Sequence, residues 1–279
     1  MSLKRLLIIA GSDSSGGAGI QADIKTASAF GVYAMTAITA ITAQNTTGVT
    51  AVHAVPPDIV RQQIIACLKD IGADAIKTGM LANAAIVRVV AATLKEYAPD
   101  IPLVVDPVMV ATSGAALLKP DAEKTVIKQL IPLATLVTPN IPETKRLTGI
   151  TRTDRVSLRK AAAILRDMGA KAALIKGGHS TKATIDDILI WEHGEDSYGF
   201  PRIKTRHTHG TGCTLASGIA ANLAKGLPLS IAVAKAREYV QAAIADAPGF
   251  GKGHGPLNHM VQWTGRPLKA AILPMGEKK

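Results

Sequence analysis

Only two cysteines occur in the 279 residues, Cys67 and Cys213. Neither sits in a CxxC pair or at Cys/His spacing, which argues against a disulfide framework and against a structural zinc site. Aromatic residues make up 3% of the chain. No nucleic-acid motif accompanies its scattered Lys and Arg, so the net charge of +11 reads as a solvated basic surface. Such a field would help to attract a polyphosphate substrate. Long apolar runs are also missing. The strongest one near the start, Leu6-Leu7-Ile8-Ile9-Ala10, is far too short for a membrane span or a signal-peptide core. The expectation is a cytoplasmic protein with neither a membrane nor a nucleic acid as partner.

What is there reads as a globular α/β protein, 47% hydrophobic and 19% charged. Strands are expected at Arg5–Ala10, Met35–Thr42, Ala75–Thr78, Leu103–Val105, Thr135–Thr138 and Ala172–Ile175. They are mostly apolar on both faces, as a buried parallel sheet requires. Amphipathic runs at Asp58–Ile71, Ala84–Tyr97 and Ser157–Met168 read as the helices of βαβ units. Cys67 falls on the apolar stripe of the first of these and reads as core. After Gly178 the pattern changes. Asp187–Trp191 and Tyr198–Ile203 suggest an antiparallel hairpin at the sheet edge. Helices are expected at Thr211–Ala224 and Leu229–Ala245. No linker or repeat divides the chain, so one domain is expected over 1–266, with a loose tail over 267–279.

Ligands of such sheets gather beyond the carboxyl ends of the strands. Gly11–Gly19, Gln44-Asn45, Gly79-Met80, Asp106-Pro107, Asn140–Glu143 and Lys176–His179 all follow expected strands and should share one crevice. The first segment has no P-loop lysine, and the acid that a dinucleotide site needs about 20 residues later is replaced by Thr42-Ala43-Gln44-Asn45. Its small residues suit a compact ligand lying against bare backbone. Asp23, inside the following helix, either faces that ligand or stabilises the helix dipole. Asp106 and Glu143, at adjacent strand ends, suit Mg²⁺, which takes one or two carboxylates plus phosphates and waters. Taken singly, each could be a helix cap or a surface charge. Lys176, beside Gly177-Gly178, is either a phosphate ligand or a solvated turn lysine.

The turn Gly210-Thr211-Gly212-Cys213 opens a helix, and oriented backbone N–H groups there form an anion cradle. Phosphoryl transfer needs such donors, a metal, and a base near the attacking hydroxyl. A thiol at a helix N-terminus is expected to be partly ionised near neutrality. A covalent cysteine nucleophile served by His207 or His209 stays open.

In order along the chain, "IAGSDSSGGAGIQADIKT", "ITAQNTTGV", "KTGML", "VVDPVM", "TPNIPE", "IKGGH", "HTHGTGCT" and "GKGHGPLNH" resemble the hydroxymethylpyrimidine/phosphomethylpyrimidine kinases of thiamine synthesis. These are members of the ribokinase-like superfamily, and the likeness runs from about Leu6 to His259. It implies a three-layer αβα sandwich with a mostly parallel central sheet. It also implies ATP-dependent phosphorylation of 4-amino-5-hydroxymethyl-2-methylpyrimidine and of its monophosphate. By this resemblance Gly210, Thr211 and Gly212 form the anion hole. Cys213, where sugar kinases carry an aspartate, is the base or positions the hydroxyl. Gly11, Asp23, Gln44, Met80 and Val108 surround the pyrimidine. Asp106 and Glu143 lie near the metal and phosphates, and Asn140 and Lys176 face the nucleotide. Related enzymes phosphorylate pyridoxal, which is the competing substrate. A non-catalytic binder of a vitamin precursor is the alternative outside the enzymes. A homodimer is left open.

Overall fold

Leu6, Leu7, Ile8 and Ile9 all have 0% exposure. A strand buried on both faces needs a helical layer on each side, because successive side chains point to opposite faces. The computed structural model describes residues 2–109, 114, 120–179, 183–192 and 194–261; the expected tail, 267–279, lies outside them. In it the alternation is used in full. Leu7 and Ile9 join one hydrophobic cluster, whereas Leu6, Ile8 and Ala10 join another on the opposite face.

The strands are β1 (Arg5–Asp13), β2 (Tyr33–Asn45), β3 (Gly48–Ala54), β4 (Ala75–Thr78), β5 (Leu103–Val105), β6 (Leu136–Val137), β7 (Ala172–Ile175), β8 (Thr184–Trp191) and β9 (Gly194–Pro201). They form one sheet in the order β3-β2-β1-β4-β5-β6-β7-β8-β9. From β2 to β7 all neighbours are parallel. β3 at one edge, and β8 and β9 at the other end of the sheet, run antiparallel to their neighbours. Helices α2 (Pro57–Asp70), α3 (Ala84–Tyr97), α4 (Pro120–Thr125), α5 (Ile141–Thr148) and α6 (Arg155–Asp167) contribute to the first cluster. Helices α1 (Gly19–Ala29), α7 (Thr211–Ala224) and α8 (Leu229–Ala245) contribute to the second. The result is a three-layer αβα sandwich. Cys67 packs partly buried against the first cluster, as expected. No helix among the described residues is long and apolar enough to cross a membrane.

Two boundaries differ from expectation where it matters for the site. β1 runs through Gly11–Asp13, with a register shift between Ala10 and Ser12. β2 runs through Asn45 and turns back into β3, a hairpin that hydrophobic periodicity does not reveal. The turn is made by Asn45, whose Oδ1 accepts from Thr47 N at 2.9 Å, Thr47 Oγ1 at 2.7 Å and Gly48 N at 3.2 Å. Gln44 therefore sits on a strand, not in a loop. Because β1 lies between β2 and β4, the strand order reverses there, which opens a crevice at the carboxyl ends.

Candidate active site

A cavity of about 650 Å³ occupies this crevice. Every site residue expected from the sequence lines it except Asp23.

The cradle depends on two glycines. Gly210 has φ of +83°, and a Cβ there would lie 1.9 Å from Gly17 O, so the turn admits no side chain. Helix α7 starts behind it without a side-chain cap. Thr211 N donates to Thr208 O at 3.2 Å and Thr214 N to Gly210 O at 2.9 Å. Thr211 thus braces the turn with its own amide instead of offering it. Among the described residues the amides of Gly212 and Cys213 have no backbone partner, which leaves two oriented donors at this helix start, where an anion could be held. A Cβ on Gly212 would stand 3.3 Å from Lys176 Nζ and 3.5 Å from Asp106 Oδ2. The cradle therefore opens onto that ion pair.

Lys176 Nζ lies 2.9 Å from Asp106 Oδ1, and Thr138 Oγ1 donates to the same oxygen at 3.3 Å. Asn140 caps α5: its Oδ1 accepts from Glu143 N at 2.9 Å, while Glu143 Oε2 accepts from Asn140 N at 2.8 Å. Burial pushes the Glu143 carboxyl up to about 7; Lys176 opposes this and the Asp106 charge adds to it. Two buried carboxylates thus share one lysine. No group of three or more His, Cys, Asp or Glu side chains able to hold a metal exists among the described residues. A divalent cation here would complete its shell with phosphates and waters, as magnesium does.

The structure corrects one expectation at Cys213. Its thiol is not partly ionised: burial pushes it up to about 12, Lys77 pulls down, and Asp23 and Asp106 push further up. The helix terminus and the Gly19 amide do not offset desolvation beside two carboxylates. Asp23, expected beside the substrate, does not line the cavity. It is 0% exposed and is bound by Lys77 Nζ at 2.9 and 2.8 Å and by Ser217 Oγ at 2.7 Å. Nor does it lie in the first turn of α1, which begins at Gly19. Its work is to balance Lys77, itself 0% exposed. Burial opposes charge on Lys77, but Asp23 and Asp106 hold it protonated. The only sequence trace of this pair is a lysine inside an apolar strand, Ala75-Ile76-Lys77-Thr78.

At the β1–β2 end, Gly11 packs under Met80: a Cβ on Gly11 would meet Met80 Sδ at 3.1 Å. Thr39 Oγ1 anchors Met80 O at 2.6 Å. Val108 and Gln44 complete this part of the lining. His209, expected only as a possible partner of Cys213, points its Nε2 at Asp13 Oδ2, 2.8 Å away. Burial resists the charge on Asp13, yet His209 and Ser15 bring it down to about 2. At the β7–β8 end, buried Arg237 lies 3.0 Å from Asp187 and its guanidinium stacks over Phe200 at 4.8 Å. Nothing in the helical run around Arg237 signals that position.

A parallel sheet between two helical layers, with an anion cradle over the switch point, defines an α/β phosphotransferase of the ribokinase-like class. The chain belongs to the phosphomethylpyrimidine kinase family, whose model matches residues 13–258. It is 49% identical over 256 residues to the thiamine biosynthesis bifunctional protein ThiED of Geobacter sulfurreducens, a match covering 92% of this chain and 52% of that protein, about half its length. It is 46% identical over 262 residues to the hydroxymethylpyrimidine/phosphomethylpyrimidine kinase of Haemophilus influenzae, covering 92% and 97% respectively. A similar solved structure is the ADP complex of Bacillus subtilis pyridoxal kinase, with TM-score 0.86, 35% identity, and 94% of this chain and 100% of that one covered. Membership makes this chain a kinase, with ATP as phosphoryl donor and a small molecule as acceptor.

Proposed function

We propose that the chain transfers the γ-phosphoryl group of ATP to the hydroxymethyl oxygen of 4-amino-5-hydroxymethyl-2-methylpyrimidine, and a second one to the monophosphate, giving the diphosphate in thiamine biosynthesis. One observation carries this reading: a single cavity joins a strand-borne amide, Gln44, to a cradle and an Asp106–Lys176 pair. Gln44 is next to last in β2 and Lys176 follows β7, five strand spacings apart in the sheet. At ~4.8 Å per spacing that is about 24 Å, room for a small ring and a nucleoside triphosphate end to end. In this reading Gly11, Met80 and Val108 hold the ring, and Gln44 pairs with its amino edge, since an amide both donates and accepts. The Gly212 and Cys213 amides, held by Gly210 and Thr211, receive the migrating phosphoryl oxygens together with Lys176. Asn140 and Lys176 face the nucleotide. Asp106 and Glu143 would hold Mg²⁺, which fits because two carboxylates there have one lysine between them; when bound it supplies charge neutralisation of the phosphates. Cys213 stands at the attacking hydroxyl. The whole activity is assigned to one domain over 1–266.

The competing substrate is pyridoxal, favoured by the fold likeness to a pyridoxal kinase. ATP consumption with the pyrimidine alcohol, its monophosphate and pyridoxal, run in parallel, decides between them. Higher kcat/KM for pyridoxal would overturn the pyrimidine reading. A second expected result concerns Gln44→Met, which keeps volume but leaves the pyrimidine edge unpaired. Pyrimidine affinity should fall by about 1–3 kcal/mol with ATP affinity held. Unaltered pyrimidine affinity would remove Gln44 from the site.

A further inference from the structure

The Gln44 amide has its two ends against fixed partners. As placed, its nitrogen faces His209 Nε2 at 3.3 Å and its oxygen faces Thr42 Oγ1 at 3.1 Å. Oxygen and nitrogen of an amide are told apart by their hydrogen-bond partners, and here the partners require the opposite assignment. Asp13 accepts from Ser15 N, Ser15 Oγ and Ala18 N at 2.7–2.9 Å and lies 2.8 Å from His209 Nε2. A carboxylate in that setting is ionised and only accepts, so His209 Nε2 carries a hydrogen. That N–H cannot also accept from an amide NH₂. At the other end, Thr42 Oγ1 donates its single hydrogen to Ser12 O at 2.8 Å, and so can only accept from Gln44. Both ends agree: the carbonyl oxygen belongs toward His209 and the NH₂ toward Thr42.

We propose that the Asp13–His209 pair locks the Gln44 amide in this orientation and so makes the site select a 4-aminopyrimidine over its 4-oxo counterpart. The inference rests on the reading of Gln44 as the contact to the pyrimidine edge. An amide held this way offers an acceptor on the His209 side and a donor on the Thr42 side. A 4-aminopyrimidine presents the complement, an exocyclic NH₂ donor beside a ring-nitrogen acceptor. The 4-oxo compound presents the reverse, a carbonyl acceptor beside a ring N–H. A free glutamine would serve both by turning its amide over. This one is not free. Its backbone is clamped by Ser14, whose Oγ donates to Gln44 O at 2.7 Å and accepts from Gln44 N at 2.9 Å. Turning the amide would set NH₂ against the His209 N–H. His209 is held in its turn, since it is 6% exposed and a Cβ on Gly17 would meet its ring at 2.6 Å.

The test compares kcat/KM for the 4-amino and 4-oxo hydroxymethylpyrimidines in the parent protein, His209→Phe and His209→Gln. His209→Phe removes the N–H, already donated to Asp13, that a turned amide would oppose with its NH₂, and is expected to lower the amino-to-oxo ratio about tenfold, through KM and not kcat. His209→Gln returns an N–H to the Nε2 position and should keep the ratio, which a merely structural role would not produce. An unchanged ratio in His209→Phe, while Gln44→Met still loses pyrimidine binding, overturns the lock alone. If Gln44→Met binds the pyrimidine as well as the parent does, both readings fall. Should His209→Phe not fold, a structure of the parent with the aminopyrimidine decides. The exocyclic amino group is expected on the His209 side and the ring nitrogen toward Thr42, and the reverse pose overturns the proposal.

Discussion

Replacing Cys213 with alanine is expected to lower turnover by about 10²–10⁴-fold, the usual contribution of a positioned proton acceptor, with both ligands still bound. The reason for intact binding is that the cradle is backbone: the amides of residues 212 and 213 survive the change. The pH profile carries the mechanism. Burial between two carboxylates holds the thiol protonated far above neutrality, so the ionised form grows as pH rises. The rate of the parent protein should climb into the alkaline range without a plateau near pH 7, and ultraviolet thiolate absorbance should be absent there. Cys213→Asp is expected to keep activity, with a profile that levels off at lower pH. A phosphocysteine trapped with ATP alone, and no rescue by aspartate, would instead establish covalent transfer. Near-full activity in Cys213→Ala would leave the thiol a packing residue.

Most of what positions the site was legible because it is local. Strands apolar on both faces announced the parallel sheet, and the polar or glycine-rich segments after them fell on one edge, as the topology requires. The cradle was legible for the same reason, since Gly210 and Gly212 bracket a helix start. What the sequence hides is partnership at long range. Asp13 and His209 are 196 residues apart, and Asp23 and Lys77 are 54 apart. No periodicity joins such pairs; only the close packing of β1, α1, β4 and the start of α7 does. The expected thiolate failed in an instructive way. The helix-terminus rule describes the charge at Cys213's own backbone. Desolvation and the carboxylates of Asp23 and Asp106, brought in from other elements, outweigh it. The β2–β3 hairpin escaped notice because its turn is made by an Asn side chain and not by an Asn-Gly pair, and because β3 is an exposed edge without alternation.

Lys77→Met is expected to destabilise the fold by about 3–5 kcal/mol, the cost of leaving a buried charge without its partner. Lys77 and Asp23 are both fully buried, and among the described residues their side-chain hydrogen bonds are to each other and, for Asp23, to Ser217. Against a total stability of ~5–15 kcal/mol, such a loss should be plain as a lowered urea midpoint. The double variant Lys77→Met/Asp23→Asn separates the two jobs of the pair. It removes both charges at nearly constant volume, so most of the lost stability should return, a coupling read from the double-mutant cycle. Activity should not return in full. Lys77 is the leading positive charge pulling the Cys213 thiol down, and Asp23 pushes it up less strongly; the double variant loses both, so part of the lost pull is offset although it folds. Recovered stability with a further alkaline displacement of the pH–rate profile is therefore the expected signature. A Lys77→Met protein within about 1 kcal/mol of its parent would show that the cavity floor tolerates an unpaired Asp23. A double variant with parental turnover would remove Lys77 from the chemistry and leave it a purely structural ion.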